Sequence, residues 1–354
     1  MTAITVDVVR DFDALGRRWQ ALERRASVPI FRSWTWTGCL AEERFHDPVL
    51  VEATESGRTI ALALFNRVRS TWGQPDRLYL SESGNPSLDC IYVEHNGVLA
   101  EQGREAELTR TCLAAVARGH VLVLSGVGTT ELHAARVVAG RVWIGKDEEA
   151  PCIDLDAVRR TGDGYLASIS ANTRQQIRRS DRSYGAPDGL SVRIAASAEE
   201  AHAMLDRMAA LHQATWIARG RPGSFAEPFF GRFHHALIDR GIASGQVMLM
   251  ELRGRGRPIG VLYTLRDASG WRAYQSGFDY AVVDPRAKPG LTCHHAAIGL
   301  ALREGAARYD FLAGGDRYKR SLANASVRQY WLEAGPGWAP RLLRRRLADA
   351  IRRR

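Results

Sequence analysis

The chain has few cysteines and no long hydrophobic stretch. Its five cysteines are scattered and none belongs to a C-x-x-C pair, which argues against a disulfide framework or a zinc site and fits a reducing compartment. No segment approaches the roughly 20 consecutive apolar residues that a membrane-spanning helix needs. The start, MTAITVDVVRDFDAL, lacks the basic flank and apolar run of a signal peptide. We therefore expect a cytoplasmic protein.

The charge is concentrated in two places. The chain of 354 residues has 45% hydrophobic and 25% charged residues, which is ordinary for a globular protein, and a net charge of +10. The last fourteen residues, RLLRRRLADAIRRR, carry +6, and residues 174–182 carry +3. The remainder is nearly neutral, which excludes a polyanion binder with charge spread over its whole surface.

Two segments have the same pattern. Residues 50–64 (LVEATESGRTIALAL) and 249–263 (LMELRGRGRPIGVLY) each contain two apolar strands joined by a Gly-containing turn. Each pattern is typical of a β-hairpin and follows a helical stretch, at 34–46 and 228–243. The repetition predicts two similar α/β domains at 1–150 and 151–335, followed by a tail at 336–354.

The second half has a regular order of elements. We predict a helix at 163–184 with candidate caps Ser170 and Asn172, a strand near 190–195, helices at 198–219 and 227–243, a hairpin at 246–267, a strand at 271–282, a helix at 291–306 and a strand at 308–314.

The loop DPRAKPG (284–290) precedes the predicted helix at 291–306. A helix N-terminus presents unpaired N–H groups and a positive dipole end, which suit a pyrophosphate. Five residues could bind a pyrophosphate here. Arg286 and Lys288 are cations, Gly290 permits close approach of the backbone, and Leu291 and Thr292 are the first residues of the predicted helix. The alternative is an ordinary surface loop punctuated by Pro and Gly.

Several motifs with linked spacing lie between residues 165 and 332. They are LHQATWIARGRPGSF (211–225), RPIGVLY (257–263), YQSGFDY (274–280) and KPGLTCHHAAIGLALREGAARYDFLAGGDRYKRSL (288–322). This half of the chain resembles the CelD/BcsL-type acyltransferases, a branch of the GNAT superfamily. Residues 1–150 resemble them only in outline. The loop PRAKPG lacks the Q/R-x-x-G-x-G/A pattern of the usual GNAT phosphate loop.

The resemblance implies two tandem GNAT-like domains, each a mixed central β-sheet flanked by helices, with acyl-CoA as the acyl donor. The layout is also similar to the FemABX aminoacyl transferases, which take amino acids from tRNA. The resemblance places Tyr318 and Lys319 beside the reacting centre, where lysine would stabilise the oxyanion and tyrosine would protonate the leaving sulfur. Composition alone would make this lysine a surface residue.

Two further residues are candidates for catalysis. His212 lies one helical turn before Trp216 and is the candidate general base, although a lone helical histidine is often structural. Asp310 either orients a side chain or caps the following turn. The adjacent pairs His294–His295 and His234–His235 point to different helix faces, so we predict no metal site.

Arginines recur on one helix. Arg174, Arg178 and Arg182 have i, i+4, i+8 spacing and suit a phosphate-bearing ligand. That ligand is the nucleotide end of coenzyme A, a phosphorylated acceptor or a tRNA backbone. The alternative is a solvated helix face.

The acceptor site is less sharply indicated. Trp216 and Asp279 lie in the motifs shared with the acyltransferases, and Glu94, His95 and Asn96 belong to a polar stretch that lines an acceptor pocket or forms turns. In the tail, Leu343, Leu347 and Ile351 recur every four residues among arginines. This pattern predicts either a helix on an anionic membrane surface or a solvated tail.

The sequence therefore predicts an acyl-CoA-dependent N-acyltransferase acting on a small-molecule or lipid amine such as a sphingoid base, an aminolipid or an aminosugar. Such a protein is cytoplasmic or peripheral at the inner face of the membrane. The alternatives are an aminoacyl transferase that uses charged tRNA and a non-catalytic binding protein with a GNAT fold.

Overall fold

The computed structural model describes residues 2–71, 73–186, 188–281, 284 and 286–337. The chain divides into two compact units. The first comprises Met1–Glu148 and Arg328–Arg354, and the second comprises Glu149–Val327. The predicted membrane-binding helix of the tail lies outside the described residues.

The first unit begins with a strand and ends with the last strand of the chain. Its elements are β1 (Thr2–Val8), α1 (Phe12–Glu23), α2 (Trp34–Thr37), α3 (Ala41–Arg44), β2 (Pro48–Glu55), β3 (Arg58–Val68), β4 (Asp76–Leu80), β5 (Leu99–Ala100), α4 (Glu105–Ala117), β6 (His120–Val127), α5 (Thr129–Val138), most of β7 (Arg141–Asp154) and most of the final strand, Ala325–Gly335.

Its sheet is mixed. β1, β2, β3 and β4 pair in that order as antiparallel neighbours, and β5 also pairs with β3. β6 is parallel to β4, and the final strand is antiparallel to β6 from Tyr330 to Ala334. Apolar side chains of the sheet and of α4 and α5 form one core cluster, and α1 covers a second.

The second unit begins at the end of β7. Its further elements are α6 (Leu155–Thr161), α7 (Ala171–Ser183), β8 (Leu190–Ile194), α8 (Ala198–Ala218), α9 (Pro228–Gly241), β9 (Val247–Gly254), β10 (Arg257–Asp267), β11 (Gly270–Phe278), α10 (Pro289–Arg303), β12 (Arg308–Asp310) and α11 (Arg317–Leu322), and the final strand, β13 (Ala325–Gly335), starts here.

The sheet of the second unit is also mixed. β8, β9, β10 and β11 are antiparallel neighbours, β12 is parallel to β11, and the end of β7 is antiparallel to β12. The core beneath it includes apolar residues of α7 and α10. The prediction of a mixed α/β fold is confirmed in both units.

The repeated hairpins are present as predicted. β2 pairs with β3 and β9 pairs with β10. At both turns the two central residues have positive φ: Ser56 at 51° and Gly57 at 75°, then Arg255 at 51° and Gly256 at 79°. Two consecutive positive φ angles define the type I′ turn, whose twist matches that of paired strands.

Several predicted elements were wrong in their extent, including the strand expected at 271–282, which ends at Phe278. The helix expected at 34–46 is broken into α2 and α3, because Leu40 adopts a left-handed conformation with φ of 48°. The helix expected at 163–184 starts only at Ala171, where the Ser170 hydroxyl accepts the amide of Thr173. The strand expected at 308–314 ends at Asp310. No helix within the described ranges is long and apolar enough to cross a membrane.

Candidate functional site

The candidate site lies in the second unit, where β11 and β12 separate. The two strands are paired only from Trp271–Tyr309 to Arg272–Asp310. β11 then continues to Phe278, and no strand among the described residues pairs with it on the β12 side beyond Arg272. This divergence leaves an opening between the end of β11 and the segment that follows β12.

A strained turn follows β12. The Asp310 carboxylate is buried and accepts the Leu312 amide at 2.7 Å. Leu312 has a φ of 62°, a conformation that costs a bulky residue of order 1–3 kcal/mol and persists where its surroundings impose it. This hydrogen bond is the one expected if Asp310 caps the turn after β12, which is one of the two roles considered for it.

Lys319 lies on α11 and reaches back to that turn. Its Nζ donates to the carbonyls of Leu312, at 3.3 Å, and Ala313, at 2.9 Å. A Cβ at Gly314 would lie 3.1 Å from this nitrogen, so the glycine leaves room for the ammonium group. Lys319 thus places a positive charge at the end of β12.

Tyr318 lies at the edge of the opening. Its ring is nearly parallel to that of His294, with centroids 5.8 Å apart, and meets Phe311 edge-on. The residue keeps 39% of its surface exposed, and partial desolvation raises the pKa of its phenol. The phenol is therefore protonated at neutral pH and available as a proton donor.

His294 is a residue of this site that the sequence reasoning missed. It is 2% exposed, its Nδ1 lies 2.9 Å from the Tyr309 hydroxyl, and its Nε2 is buried without a hydrogen-bond partner among the described residues. Burial, and secondarily the charge of Lys319, lower the pKa of His294 to about 3. Its position one residue after Cys293, on the apolar face of α10, was the available signal.

His212 is buried on α8 with both ring nitrogens engaged. Nδ1 lies 3.2 Å from the carbonyl of Ser276, and Nε2 accepts the amide of Ser224 at 3.3 Å. Burial lowers the pKa of His212, and the Ser276 carbonyl offsets part of this effect. The imidazole is neutral, and the lone pair that a general base would use is occupied.

Trp216, one turn later on α8, is 5.8 Å from His212 by ring centroid. The guanidinium groups of Arg219 and Arg221 each lie 5.7 Å from the Trp216 ring. Trp216 therefore belongs to a patch that combines an aromatic face with positive charge.

The amides at the start of α10 are largely occupied. The Lys288 amide donates to the Ser180 hydroxyl, and those of Leu291 and Thr292 to the Lys288 carbonyl. The first helical residue, Pro289, has no N–H. This loop therefore offers few free amides to a pyrophosphate.

The side chains of the same loop are also engaged. The Lys288 ammonium donates to Gln176, and the buried Thr292 hydroxyl lies 2.8 Å from that of Ser180. A Cβ at Gly290 would lie 3.2 Å from the Phe278 ring, so the glycine permits close packing there. These residues join α10 to α7 and to β11.

A basic cleft lies beside this loop. It has a volume of about 490 Å³ and is lined by Arg179, Arg182, Ser183 and Arg286. Asp284 lies at its edge, and bonds from the Ser183 hydroxyl and the Arg286 amide lower the pKa of that carboxyl.

The cleft arginines differ from others in the second unit. Arg179 and Arg182 form no ion pair in the part of the chain that the structure describes, and Arg286 interacts with a carboxylate only through the electrostatic effect on Asp284. Other arginines of the unit are paired with Glu or Asp, namely Arg193, Arg207, Arg253, Arg266 and Arg272. Unpaired guanidinium groups around a cleft suit a phosphate ligand.

The predicted stripe of arginines is only partly brought together. Arg182 lines the cleft, whereas Arg174 donates to the Leu166 carbonyl and Arg178 is exposed and does not line it. Thr173, Ile177 and Ser180 are the buried positions of α7, and this orientation directs Arg179 rather than Arg178 to the cleft.

The predicted acceptor residues of the first unit are held within that unit. Glu94 accepts the side-chain amide of Gln329, and the backbone amide of His95 donates to Gln329. Asn96 is fully buried, and its side-chain amide donates to the Leu80 carbonyl. These residues therefore connect parts of the first unit.

Asp279 directly follows β11. Its carboxylate accepts the Ala281 amide at 2.8 Å, and it lies at the rim of a second cavity, of about 350 Å³, between α8 and the end of β11. No group of three or more His, Cys, Asp or Glu side chains in the described ranges is placed to hold a metal ion.

Sequence and structure comparisons support one fold. Residues 171–320 match a family described as an acetyltransferase (GNAT) domain. A search of curated protein sequences found no significant match.

Three solved structures are similar over nearly the whole chain. FemX has a TM-score of 0.58 at 9% identity, covering 93% of this chain and 96% of FemX. L-PGS from Bacillus licheniformis has a TM-score of 0.57 at 11% identity, covering 95% and 96%. The C-terminal domain of a putative lysylphosphatidylglycerol synthetase from Agrobacterium fabrum has a TM-score of 0.53 at 13% identity, covering 97% and 95%.

At 9–13% sequence identity, these similarities are evidence for the fold alone. Together with the hairpin, strand, helix and strand order that both units repeat, they confirm two α/β units of the same layout, of which the second matches the GNAT family. Residues 171–320 therefore match the acetyltransferase (GNAT) domain family, and the fold of the chain is similar to that of FemX.

Proposed function

We propose that this protein is an N-acyltransferase that moves an acyl group from acyl-CoA to an amine of a cell-envelope or lipid acceptor, such as a sphingoid base, an aminolipid or an aminosugar. The observation that carries the proposal is the placement of Tyr318 and Lys319 at the opening between β11 and β12 of a GNAT domain.

The proposed reaction forms a C–N bond and breaks a C–S bond. The neutral amine attacks the thioester carbonyl, and the Lys319 ammonium stabilises the resulting oxyanion. As the tetrahedral intermediate collapses, Tyr318 donates its phenolic proton to the leaving thiolate. The amine proton passes to solvent, because the His212 lone pair is occupied by the Ser224 amide, and solvent returns a proton to the Tyr318 phenolate.

The donor phosphates are assigned to the basic cleft. Arg179, Arg182 and Arg286 are exposed cations, and no ion pair is formed by Arg179 or Arg182 among the described residues. The amides of Leu291 and Thr292, by contrast, are already bonded. Side-chain charge therefore replaces the backbone amides that usually hold a pyrophosphate in GNAT proteins.

A tRNA donor is the second candidate. It is favoured by the occupied amides at the start of α10 and by the similarity to FemX, since the FemABX family takes amino acids from tRNA. In this case the three arginines would contact the phosphate backbone, and binding would weaken steeply with salt.

Calorimetric titration distinguishes the two donors. The purified protein is titrated with acetyl-CoA, palmitoyl-CoA and uncharged tRNA at two salt concentrations. Saturable binding of a thioester supports the acyl-CoA proposal, and release of free thiol on addition of an amine tests turnover. Binding of tRNA alone, with a steep salt dependence, overturns the thioester donor in favour of tRNA.

The cellular location is part of the same proposal. We expect a cytoplasmic protein whose arginine-rich tail, beyond Gly337, contacts the anionic inner face of the membrane and brings the enzyme to a lipid acceptor. Sedimentation with phosphatidylglycerol vesicles tests this: the full chain should sediment and a chain ending at Gly337 should not. Equal sedimentation of the two would contradict it.

A further inference from the structure

The cavity between α8 and the end of β11 has a lining that favours a hydrocarbon chain. Four residues of α8, namely Leu211, Ala214, Thr215 and Ala218, share one helix face and form one wall. Phe278 to Ala281 form the other. The volume of about 350 Å³ is within the range of small-molecule sites.

The polar groups around this cavity are bonded to the protein itself. The Thr215 hydroxyl donates to the Leu211 carbonyl at 3.0 Å, and the Asp279 carboxylate accepts the Ala281 amide. Arg219 interacts with the Tyr280 hydroxyl and lies over the Trp216 ring. A ligand inside therefore meets mainly carbon atoms, with a positive charge at the mouth.

The wall formed by Phe278 is fixed by three glycines. A Cβ at Gly260 or Gly290 would lie 2.6 Å or 3.2 Å from the Phe278 ring, and a Cβ at Gly277 would lie 2.3 Å from the Met208 carbonyl. Gly277 thus lets β11 approach α8 closely just before the two elements diverge at the cavity.

The cavity leads towards the proposed reacting centre. The Phe278 ring lies 6.0 Å from His294, and His294 in turn lies 5.8 Å from Tyr318. Two successive ring contacts therefore separate the Phe278 ring from Tyr318. Tyr280, which also lines the cavity, is close enough to Tyr318 to affect the pKa of its phenol. We therefore assign the reactive end of a bound chain to the side of the cavity that faces Tyr318.

We propose that this cavity binds the aliphatic chain of a substrate and selects for chain length. The inference rests on the proposed acyl transfer and deepens it. The aliphatic chain belongs either to the acyl donor or to the amine acceptor. In both cases the cavity would contact a hydrocarbon chain.

Two titration series on the full chain test the cavity. One uses acetyl-CoA and octanoyl-CoA, and the other uses ethylamine and octylamine. Burial of several methylene groups should make octanoyl-CoA bind about tenfold more tightly than acetyl-CoA. If the chain belongs to the acceptor, the same difference should separate octylamine from ethylamine.

Substitution should remove the length preference. Ala214→Phe fills the cavity and should bring the long and short ligands within about twofold of each other. Ala203→Phe, at an exposed position about three turns earlier on α8, is the matched control and should keep the preference. Ala218→Leu serves as a second filling variant if Ala214→Phe does not fold.

The outcomes test the cavity proposal and the acyl-CoA proposal separately. Equal affinity for long and short ligands in both series, or equal effects of Ala214→Phe and Ala203→Phe, overturns the cavity proposal. If neither thioester binds but octylamine is preferred over ethylamine and Ala214→Phe removes that preference, the cavity stands and the acyl-CoA donor is wrong.

Discussion

The two units share an order of elements but differ at the place where their parallel strands meet. In the first unit, β4 and β6 remain paired from Asp76–His120 to Tyr79–Val123. In the second unit, β11 and β12 are paired only at Trp271–Tyr309 and Arg272–Asp310. The second unit therefore has an opening where the first has a longer parallel pair.

In the first unit, the segment 89–97 occupies the space beyond β4. The Asn96 side chain donates to the Leu80 carbonyl, its backbone amide donates to Gly126, and it forms a parallel bridge to Val127. Arg32 donates to the carbonyls of His95 and Asn96.

A shared fold alone is therefore not sufficient to form a site. Both units have the hairpin and the strand–helix–strand order. In the first unit, polar side chains of the segment 89–97 form hydrogen bonds that fill the space beyond β4. The second unit leaves the corresponding space open and places Lys319 at its edge.

The largest effect that the comparison predicts is on catalysis. Lys319→Ala should lower kcat by about 10²–10³-fold, the usual effect of removing one oxyanion donor. Arg317→Ala, at an exposed position of the same helix, is the control and should stay within about twofold. The measurement is thiol release from the preferred thioester at saturating amine. Unchanged turnover in Lys319→Ala would show that Lys319 is not the oxyanion donor.

The next effect is on stability. Asn96→Leu leaves the Leu80 carbonyl without its donor and should reduce the free energy of unfolding by about 1–3 kcal/mol in urea denaturation. Transfer activity per folded molecule should not change. Asn85→Leu, at an exposed asparagine, should cost no more than about 0.5 kcal/mol. Loss of activity in folded Asn96→Leu protein would show that the segment 89–97 contributes to the site.

A smaller effect is expected on donor binding. Arg179→Ala and Arg182→Ala should each weaken donor binding by about tenfold and reduce its salt dependence, because each removes a charge-assisted contact to phosphate. Arg178→Ala, on the same helix but outside the cleft, should leave both unchanged. Equal losses in all three variants would point to a general electrostatic effect instead of a built site.

A separate effect, which accumulates as the pH falls, is a difference in acid sensitivity. Burial lowers the pKa of both His234 and His294 to about 3. Between pH 6.5 and pH 4, these two histidines are therefore protonated in the unfolded chain and neutral in the folded protein. Each should cost the second unit about 1.4 kcal/mol of stability per pH unit as the pH falls. In the first unit, burial raises the pKa of Glu23 and Glu333, so their contribution to stability rises as the pH falls.

Hydrogen exchange at pH 6.5 and pH 4.5, corrected for the intrinsic rate, measures this difference. Peptides of β10 should lose protection before peptides of β6, and His294→Leu should reduce the difference. An equal loss in both units would contradict the assignment.

Part of the fold follows directly from local sequence. Gly57 and Gly256 predict the two hairpin turns, because both positions have positive φ. The helix predicted to start at 291 starts at Pro289, since proline fits the first turn of a helix, where its missing N–H costs nothing.

The site was less predictable because it depends on tertiary contacts. The spacing of Arg174, Arg178 and Arg182 indicates a helix face, but only the burial of Ile177 and Ser180 shows that Arg179 meets the cleft. His294 belongs to the site because its ring stacks on that of Tyr318, which lies on a different helix, α11.

The central claim is that the opening of the second unit, and not the corresponding place in the first, receives the donor. Hydrogen exchange of the full chain with and without saturating octanoyl-CoA tests it most directly. The account predicts slower exchange in peptides covering 278–294 and 311–319, with no change in 89–97. Slower exchange confined to 89–97 would contradict it.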